Sequence, residues 1–408
     1  MSTTAAAAKS KPVKPKKPKD FPLTPHPRGS WCKKIDGKVH YFGPWSDPAA
    51  ALEAWEQFDC DRKAGKPMRP RRDGRLTVKD MTNAFLTAQN DRVEQGGLKL
   101  RSYRELKPVL EDFARSVGIT ARVADLAAAD FTRYRASLLK KKNGDDRLGS
   151  HSVKRHTTIV RTCFRWAFEE DLIEKLPKYG SDFGQVRGLG ISATKPLMFT
   201  PDEIRTMVNA ATAPLRAMIL LGINCGFGNT DVGTLPIAAV DLDAGFIAFP
   251  RTKTGISRRC PLWPETIDAI RESLAVRRRP IEPEDADVLF VTRGGRPFTG
   301  NTAIKKDGLI VDVRITDSLA GCFKKLLGEC GIRKVSKAGN AISDGRGSFY
   351  SLRRTFRTIA DEMMDDHAAN VIMGHTAKSM GEKYVQRIGD ERLRRLVDHV
   401  RSKIFPAT

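Results

Sequence analysis

Two clusters of residues in the C-terminal part of the chain combine the residue types that phosphate chemistry requires. The first, FYSLRRTFRTIADEM at 349–363, places Arg353 beside the apolar face of a predicted helix. The second, IMGHTAKSMGEKYVQRI at 372–388, has a Gly-His pair that ends a helix and, nine residues after His375, Tyr384. Each cluster alone is typical of ordinary packing or of a solvated surface. Only their combination indicates chemistry.

Cleavage of a DNA phosphodiester without a metal ion requires three kinds of group. A tyrosine phenol can become a covalent phosphate ester. A guanidinium can hold the non-bridging oxygens with its two-pronged donor geometry, and a further group must protonate the departing 5′ hydroxyl. The residues that supply these types here are Tyr384, Arg353, His375 and Lys253.

The order of these motifs resembles that of the tyrosine recombinase (phage integrase) family. LRRTF, followed by Gly-His and by the tyrosine nine residues later, resembles the second motif box of that family. LLGINCGFGNTDVGTL at 220–235 resembles its first box. RTKTGISRRCPL at 251–262 resembles its β-hairpin, whose lysine corresponds to Lys253. The resemblance covers most of the chain from about residue 28.

The resemblance implies a role for each matching residue. Tyr384 would attack the scissile phosphate and form a 3′-phosphotyrosyl link, and Arg353 would clamp that phosphate. Lys253 would protonate the leaving group, and His375 would hydrogen-bond the phosphate. Asp231 matches the acidic residue that supports the first-box arginine. Because the protein–DNA ester conserves the energy of the broken bond, the resemblance implies no metal and no other cofactor.

Two positions depart from the family pattern. Gly228, followed by Asn229, stands where the first-box arginine is expected, and Tyr350 replaces the histidine or lysine that opens the second box. Removal of one oriented oxyanion donor lowers a rate by about two to three decades, and removal of an arginine finger by about three to five. The departures therefore bear directly on activity.

Three accounts of these departures remain open at this point. Another arginine rebuilds the phosphate clamp, and the candidates near in sequence are Arg216, Arg346 and Arg354. Alternatively, Tyr350 and Asn229 each donate a hydrogen bond to the phosphate. In the third account the site is degenerate and the chain is a recombinase-derived DNA-binding protein. The joint presence of the other four residues favours retained but altered activity.

The elements around these residues predict a multidomain, mainly α protein with small β-sheets. Residues 1–26 form a predicted disordered basic tail, and 27–66 a small sheet followed by one helix. This small domain is interpreted as an arm-type DNA-binding domain, with a purely structural subdomain as the alternative. Its candidate DNA contacts are the basic residues on the strands, namely Arg28, Lys33, Lys34 and Lys38.

The rest of the chain divides into a helical core-binding domain at 76–178 and a mixed α+β catalytic domain at 195–408. Apolar residues at helical spacing predict four or five helices in the former. Its last helix carries four basic residues as candidate DNA contacts: Lys154, Arg155, Arg161 and Arg165. In the catalytic domain, strands are expected near 246–249 and 259–262, with helices dominating afterwards. A final helix within 390–404 either docks on a neighbouring protomer or packs on its own domain.

Composition agrees with a DNA-bound protein. The chain has 408 residues, with 71 Lys and Arg against 48 Asp and Glu, a formal net charge of +23. Such an excess favours binding to nucleic acid. The seven cysteines are scattered without a C-x-x-C pair, which disfavours a zinc site or a disulfide framework and favours the reducing cytoplasm. The sequence has no run of 18 or more apolar residues, so a membrane span is not expected.

The expected partners are duplex DNA attachment sites, further copies of the chain in a tetramer on DNA, and host DNA-bending factors. Two rival functions are a non-catalytic DNA-binding protein and a monomeric relaxing enzyme similar to type IB topoisomerases. The small N-terminal sheet domain favours the integrase, because arm binding gives that domain a use.

Overall fold

A computed structural model gives the fold of the chain. It describes residues 15, 17, 21–27, 29–35, 38–63, 76–140, 142–143, 146–185, 198–333, 347–376 and 388–406. Over these residues the protein is mainly helical with small antiparallel sheets, which confirms the predicted fold class. Two compact units divide the chain. The first comprises Met1–Phe85, Leu110–Asp146 and Arg155–Gln185, and the second Leu86–Val109, Arg147–Lys154 and Val186–Thr408.

The helices of the described part, α1 to α14, are Pro48–Lys63, Val78–Glu94, Leu100–Arg104, Leu106–Val117, Ala128–Lys140, Ser150–Glu169, Pro201–Ala210, Ala213–Asn224, Asn229–Gly233, Pro264–Ala275, Ser318–Glu329, Phe349–Asp361, Asp366–Met373 and Asp390–Ile404. The strands, β1 to β10, are Thr24–His26, Ser30–Ile35, Lys38–Pro44, Lys142–Asn143, Asp146–Arg147, Val240–Asp241, Phe246–Ala248, Arg259–Pro261, Thr299–Lys306 and Leu309–Asp317. Within the described residues, no helix combines the length and the apolar character needed to cross a membrane.

The N-terminal sheet of the first unit has the strand order β1-β2-β3 and is antiparallel throughout. One of its faces packs on α1, with Trp31 and Trp55 in the shared core. Leu23 is fully buried in the same core, and the Thr24 hydroxyl donates to the Cys32 carbonyl at 3.0 Å. The sheet therefore begins before the predicted boundary at residue 27, because β1 already contributes to the core.

Aromatic side chains form the core of the helical part of the first unit. Phe113 stacks on Phe131 with ring centroids 5.7 Å apart, and Phe164 meets Phe131 edge to face at 5.5 Å. Tyr134 is fully buried, and its hydroxyl lies 3.1 Å from Nδ1 of His156. The helical spacing of apolar residues predicted this packing.

The second unit is built around α8, which is buried along nearly its whole length. The helices α10, α12 and α14 pack against it. Before it, α7 begins with a capping box. Thr200 Oγ1 accepts from the Glu203 amide at 3.2 Å, and Glu203 Oε2 accepts from the Thr200 amide at 2.9 Å. These two reciprocal hydrogen bonds satisfy backbone amides that would otherwise lack a partner at the start of the helix.

Two antiparallel sheets lie in the second unit. The first, β6-β7-β8, contains the two strands predicted around residues 246–249 and 259–262. The second is the long hairpin β9–β10, which was not predicted, although helices do dominate after the first sheet, as expected. The signal present in the sequence is an Asp307-Gly308 turn followed by apolar residues at every second position, namely Val311, Val313 and Ile315.

The β9–β10 hairpin explains why Leu86–Val109 belongs to the second unit, although 76–178 was predicted as one domain. Tyr103 packs on Ile310 and Val313, and its hydroxyl donates to the Ile310 carbonyl at 3.2 Å. On the other side of that residue, the Ile310 amide donates to Asn90 at 2.9 Å. These long-range contacts connect the end of α2 and α3 to the hairpin.

The last helix, α14, packs on its own unit. Its apolar residues Leu393, Leu396 and Val400 are buried in the core of the second unit. Arg401 forms a bidentate ion pair with Glu265 on α10, with the closest atoms 2.6 Å apart. Of the two alternatives for this helix, packing on its own domain is the one observed.

Candidate active site

Arg353 and His375, both predicted site residues, lie in contact in the second unit. Arg353 lies on α12 and is only 2% exposed. Its guanidinium donates to the carbonyls of Gly226 and, at 3.0 Å, of Met373. The same Nη2 lies 2.7 Å from His375 Nε2. Because a guanidinium nitrogen can only donate, Nε2 of His375 is the acceptor.

The turn that joins β7 to β8 reaches the same place and carries Lys253. The Arg251 amide donates to the Ile256 carbonyl at 2.8 Å and closes the turn, and Lys253 is exposed at its tip. Arg251 Nη1 and Thr254 Oγ1 both donate to the carbonyl of Gly374, each at 3.4 Å. The turn is thus attached to the residue that precedes His375.

Gly374 is the residue that allows this close approach. It ends α13 in the left-handed region, with φ of 65°. A Cβ at this position would lie 2.8 Å from Cβ of Arg251 and 2.9 Å from Cδ of Arg258. Both the backbone conformation and the space therefore favour glycine.

Asp231 is the buried acid of the site, and its strongest partner is Arg258. Its Oδ1 accepts from Thr252 Oγ1 at 2.9 Å and from Arg258 Nη2 at 3.2 Å, and its Oδ2 accepts from the Gly228 amide at 3.1 Å. Burial alone would raise the pKa of Asp231. The charge of Arg258 and these hydrogen bonds outweigh burial, so that the pKa lies below its usual value.

Arg258 is completely buried, with its side chain 0% exposed. Its guanidinium stacks 4.2 Å from the ring centroid of Phe227 and also donates to the Phe249 carbonyl at 2.8 Å. Its Nη1 has no hydrogen-bond partner among the residues that the structure describes. The sequence predicted that Asp231 supports an arginine, and the arginine that it contacts comes from the hairpin.

The position of Gly228 is filled by neighbouring groups rather than by a cation of its own. Its φ is −94°, and a Cβ there would lie 3.6 Å from both Asp231 Oδ2 and the Tyr350 ring. Tyr350 is 45% exposed and covers this side of the site. Asn229 donates to both carboxylate oxygens of Asp317, at 3.2 and 3.3 Å. Its amide donors are therefore engaged there, which argues against Asn229 as a phosphate ligand.

The arginines suggested by sequence proximity do not rebuild the site within the described residues. Arg216 pairs with Glu272 at 2.8 Å and with the Val208 carbonyl at 3.1 Å. Arg354 is exposed and lies 5.6 Å from the ring centroid of Tyr350. Arg346 is outside the described residues. The two arginines that do reach the site, Arg251 and Arg258, were missed. The only sequence signal for them is that both belong to the same hairpin motif as Lys253.

The guanidinium groups of Arg251, Arg258 and Arg353 thus lie near one another, and that of Arg258 is paired with the carboxylate of Asp231. Burial and then the positive charge of Arg251 lower the pKa of Arg353, and Arg258 acts in the same direction. The hydroxyl of Tyr350 and the carboxylate of Asp231 oppose them. Like charges that are held together repel one another, and the site as a whole favours an anion.

The predicted nucleophile, Tyr384, lies outside the described residues. The same holds for Arg28 and for the side chain of Lys38. Within the described part, no group of three or more His, Cys, Asp or Glu side chains could hold a metal ion.

The other candidate DNA contacts are partly accessible. On the sheet face away from α1, Lys34 is exposed beside Val39 and Tyr41, whereas Lys33 lies over the Trp55 ring at 3.8 Å. Lys33 therefore does not share that face. On α6, Lys154, Arg155 and Arg165 are exposed. Arg161 is different, since its guanidinium lies 5.2 Å from the ring centroid of Tyr179 and packs within its own unit.

Comparisons with known proteins agree with this fold. The model of the Phage integrase family matches residues 198–388. A lambda integrase dimer bound to a COC' core site has 14% sequence identity and a TM-score of 0.52, with 92% of this chain and 99% of that chain covered. The integrase of the Tn1549 transposon, in complex with circular intermediate DNA, has 16% identity and a TM-score of 0.54, with 78% and 98% covered. A comparison with curated proteins finds no significant match.

At these identities the structural likeness shows the fold, which is that of DNA-bound integrases over most of the chain. The family match spans the first motif box, the hairpin and the second motif box. Residues 198–388 thus match the phage integrase family, that is, the tyrosine recombinases.

Proposed function

We propose that the protein is a site-specific DNA recombinase that cleaves one DNA strand at a time through a 3′-phosphotyrosyl intermediate on Tyr384. The observation that carries this proposal is the pairing of buried Arg353 with His375, next to the turn that carries Lys253, inside the family-matched region. These groups form a cationic, donor-rich site that suits a phosphodiester.

The proposed chemistry assigns one step to each residue. The Tyr384 oxygen attacks phosphorus and gives its proton to solvent water as the new ester bond forms, while the bond from phosphorus to the 5′ oxygen breaks. Lys253 gives a proton to that departing oxygen. Arg353 and His375 hold the non-bridging oxygens, whose negative charge increases in the transition state. Asp231 keeps the hairpin in place.

The proposal extends to the whole chain. The N-terminal sheet domain binds an arm-type site through the face with Lys34, and the helical part contacts the duplex through α6. Lambda integrase has been crystallised as a dimer on a core site and as a tetramer on a Holliday junction. By analogy, we propose that this protein works as a tetramer on paired attachment sites, aided by DNA-bending host factors.

Trapping on a suicide substrate tests the proposal. The full-length protein is mixed with nicked duplexes that carry a candidate attachment site from the DNA flanking its gene. A covalent adduct on a denaturing gel is expected for the wild type and not for Tyr384→Phe.

Binding of both proteins to the same duplex serves as the control. Affinity is expected to fall steeply with salt. The logarithm of the binding constant, plotted against the logarithm of the salt concentration, should have a slope of about −0.9 per phosphate contacted. If the wild type binds in this way but gives no adduct, the recombinase proposal is wrong. The protein is then a non-catalytic DNA-binding member of the family.

A further inference from the structure

We propose that Arg251 is a phosphate-binding catalytic residue, and that the hairpin supplies the second guanidinium that is missing at position 228. The inference rests on the proposed function, because it concerns the same DNA phosphate. It names a residue outside the two motif boxes, on the turn before Lys253.

Position is the first argument. The backbone of Arg251 is at the rim of the site, since its Cβ would contact a side chain at Gly374 at 2.8 Å. Its guanidinium donates to the Gly374 carbonyl at 3.4 Å, directly before His375. It is also the cation whose charge acts most strongly on Arg353. Arg251 therefore lies beside both predicted phosphate ligands.

The second argument is charge. The carboxylate of the site, Asp231, is bound by Arg258, Thr252 and the backbone of Gly228. Among the described residues, the guanidinium of Arg251 has no acidic partner. Its one hydrogen bond there is to the Gly374 carbonyl. The guanidiniums of Arg251 and Arg353 repel each other, and an anion between them relieves the repulsion. A phosphodiester supplies that anion.

Exposure separates Arg251 from Arg258. The side chain of Arg258 is 0% exposed and is held by Asp231 and by the Phe249 carbonyl. It can therefore position the hairpin but cannot meet a DNA backbone without leaving its pocket. Arg251 is partly exposed. It keeps guanidinium donors available beyond the single bond to Gly374, and bidentate contact with a phosphate needs two of them.

The test measures the rate of adduct formation on the suicide substrate with single-turnover kinetics. Arg251→Ala is expected to lower this rate by about 100-fold or more, which is typical of the loss of one oriented donor. Affinity for the intact duplex should change by less than about threefold, since many other phosphate contacts remain. The control is Arg271→Ala, which removes a 55% exposed arginine of α10 that lies outside the site.

A second-site variant distinguishes a catalytic role from a structural one. Arginine fits at position 228 without backbone strain, because φ is −94° and the nearest atoms to its Cβ are 3.6 Å away. In the Arg251→Ala background, Gly228→Arg is expected to raise the rate of adduct formation about tenfold or more above that of Arg251→Ala alone. Gly228→Ala in the same background is expected to restore nothing, because it adds a Cβ without a charge.

The outcomes separate the two proposals. A loss with Arg251→Ala that Gly228→Arg repairs supports the inference. If Arg251→Ala cleaves as fast as Arg271→Ala while Tyr384→Phe is inactive, the inference is overturned and the recombinase assignment stands. The inference is also overturned if Arg251→Ala is slow but Gly228→Arg and Gly228→Ala behave alike. Absence of any wild-type adduct removes both proposals.

Discussion

Replacement of Asp231 by asparagine removes one negative charge from the middle of the site and keeps the size of the side chain. The carboxylate accepts hydrogen bonds from Arg258, Thr252 and the Gly228 amide. The side-chain oxygen of an asparagine can accept the hydrogen bonds made by only one of the two carboxylate oxygens. Its NH2 group then faces a second donor, either the backbone amide or the guanidinium. Arg258 is left fully buried without a counter-charge.

The structure gives the size of the effect. Breaking a buried ion pair by removing one partner destabilises by about 3–5 kcal/mol, and a lost hydrogen bond to a charged group contributes about 1.5–3 kcal/mol of that total. We therefore expect Asp231→Asn to lower the free energy of unfolding of the second unit by about 3–5 kcal/mol. For a unit of this size the melting temperature should fall by roughly 6–20 °C, at about 2–4 °C per kcal/mol.

Hydrogen exchange on peptides from the hairpin and α8 is the suitable assay. It reports on the second unit within the full chain, where unfolding in a single step is not expected. The companion variant is Asp231→Asn with Arg258→Met. Methionine keeps apolar contact with the Phe227 ring and removes the orphaned charge. The double variant should recover about 2 kcal/mol or more relative to Asp231→Asn alone.

Two results would refute this reasoning. A loss below about 1 kcal/mol in Asp231→Asn would mean that the pair is solvated and contributes as little as a surface ion pair. Strictly additive effects in the double variant would mean that Asp231 and Arg258 are not coupled, despite the 3.2 Å contact.

Three further predictions concern the pH dependence of the Asp231 contacts, the space at Gly374 and the hydrogen bond of Tyr103. The stability advantage of the wild type over Asp231→Asn should be constant above about pH 5 and shrink as pH falls below 3.8, because the pKa of the folded carboxyl is lowered from that value; a pH series of exchange measurements tests this. Gly374→Ala should destabilise the protein by about 2–4 kcal/mol, because alanine is strained in the left-handed region and its Cβ overlaps Arg251. The control Gly389→Ala, with open space around its Cβ, should change the stability by no more than about 0.5 kcal/mol. Equal melting temperatures of the two variants would contradict this prediction. Tyr103→Phe should cost about 1 kcal/mol through its lost bond to a carbonyl of β10 and speed exchange in that hairpin alone.

Local signals account for what the sequence predicted well. The capping box at Thr200 and the apolar spacing of the helices depend on residues within a few positions of one another. The pairing of Arg353 with His375 was also predictable, but only through the motif order, because nothing local to either residue indicates a contact across 22 positions.

What the sequence did not predict depends on long-range packing. Asp231 was assigned to support an arginine of its own motif box, yet its partner lies 27 positions away on the hairpin. Asn229 looked available for a ligand until its contact with Asp317, 88 positions away, was known. The turn of the β9–β10 hairpin has a signal in the sequence. The contact of that hairpin with Tyr103, across 207 positions, has none. Such pairs are fixed by the assembled core.

In our proposal, the β7–β8 hairpin compensates for the arginine that is missing from the first motif box. A cation that stabilises a phosphate is defined by where its guanidinium lies, and the elements that reach one site can supply it from different positions in sequence. Here the turn before Lys253 is already held at the site by the Gly374 carbonyl and by Asp231. An arginine at position 251 therefore needs no new anchoring to reach the phosphate.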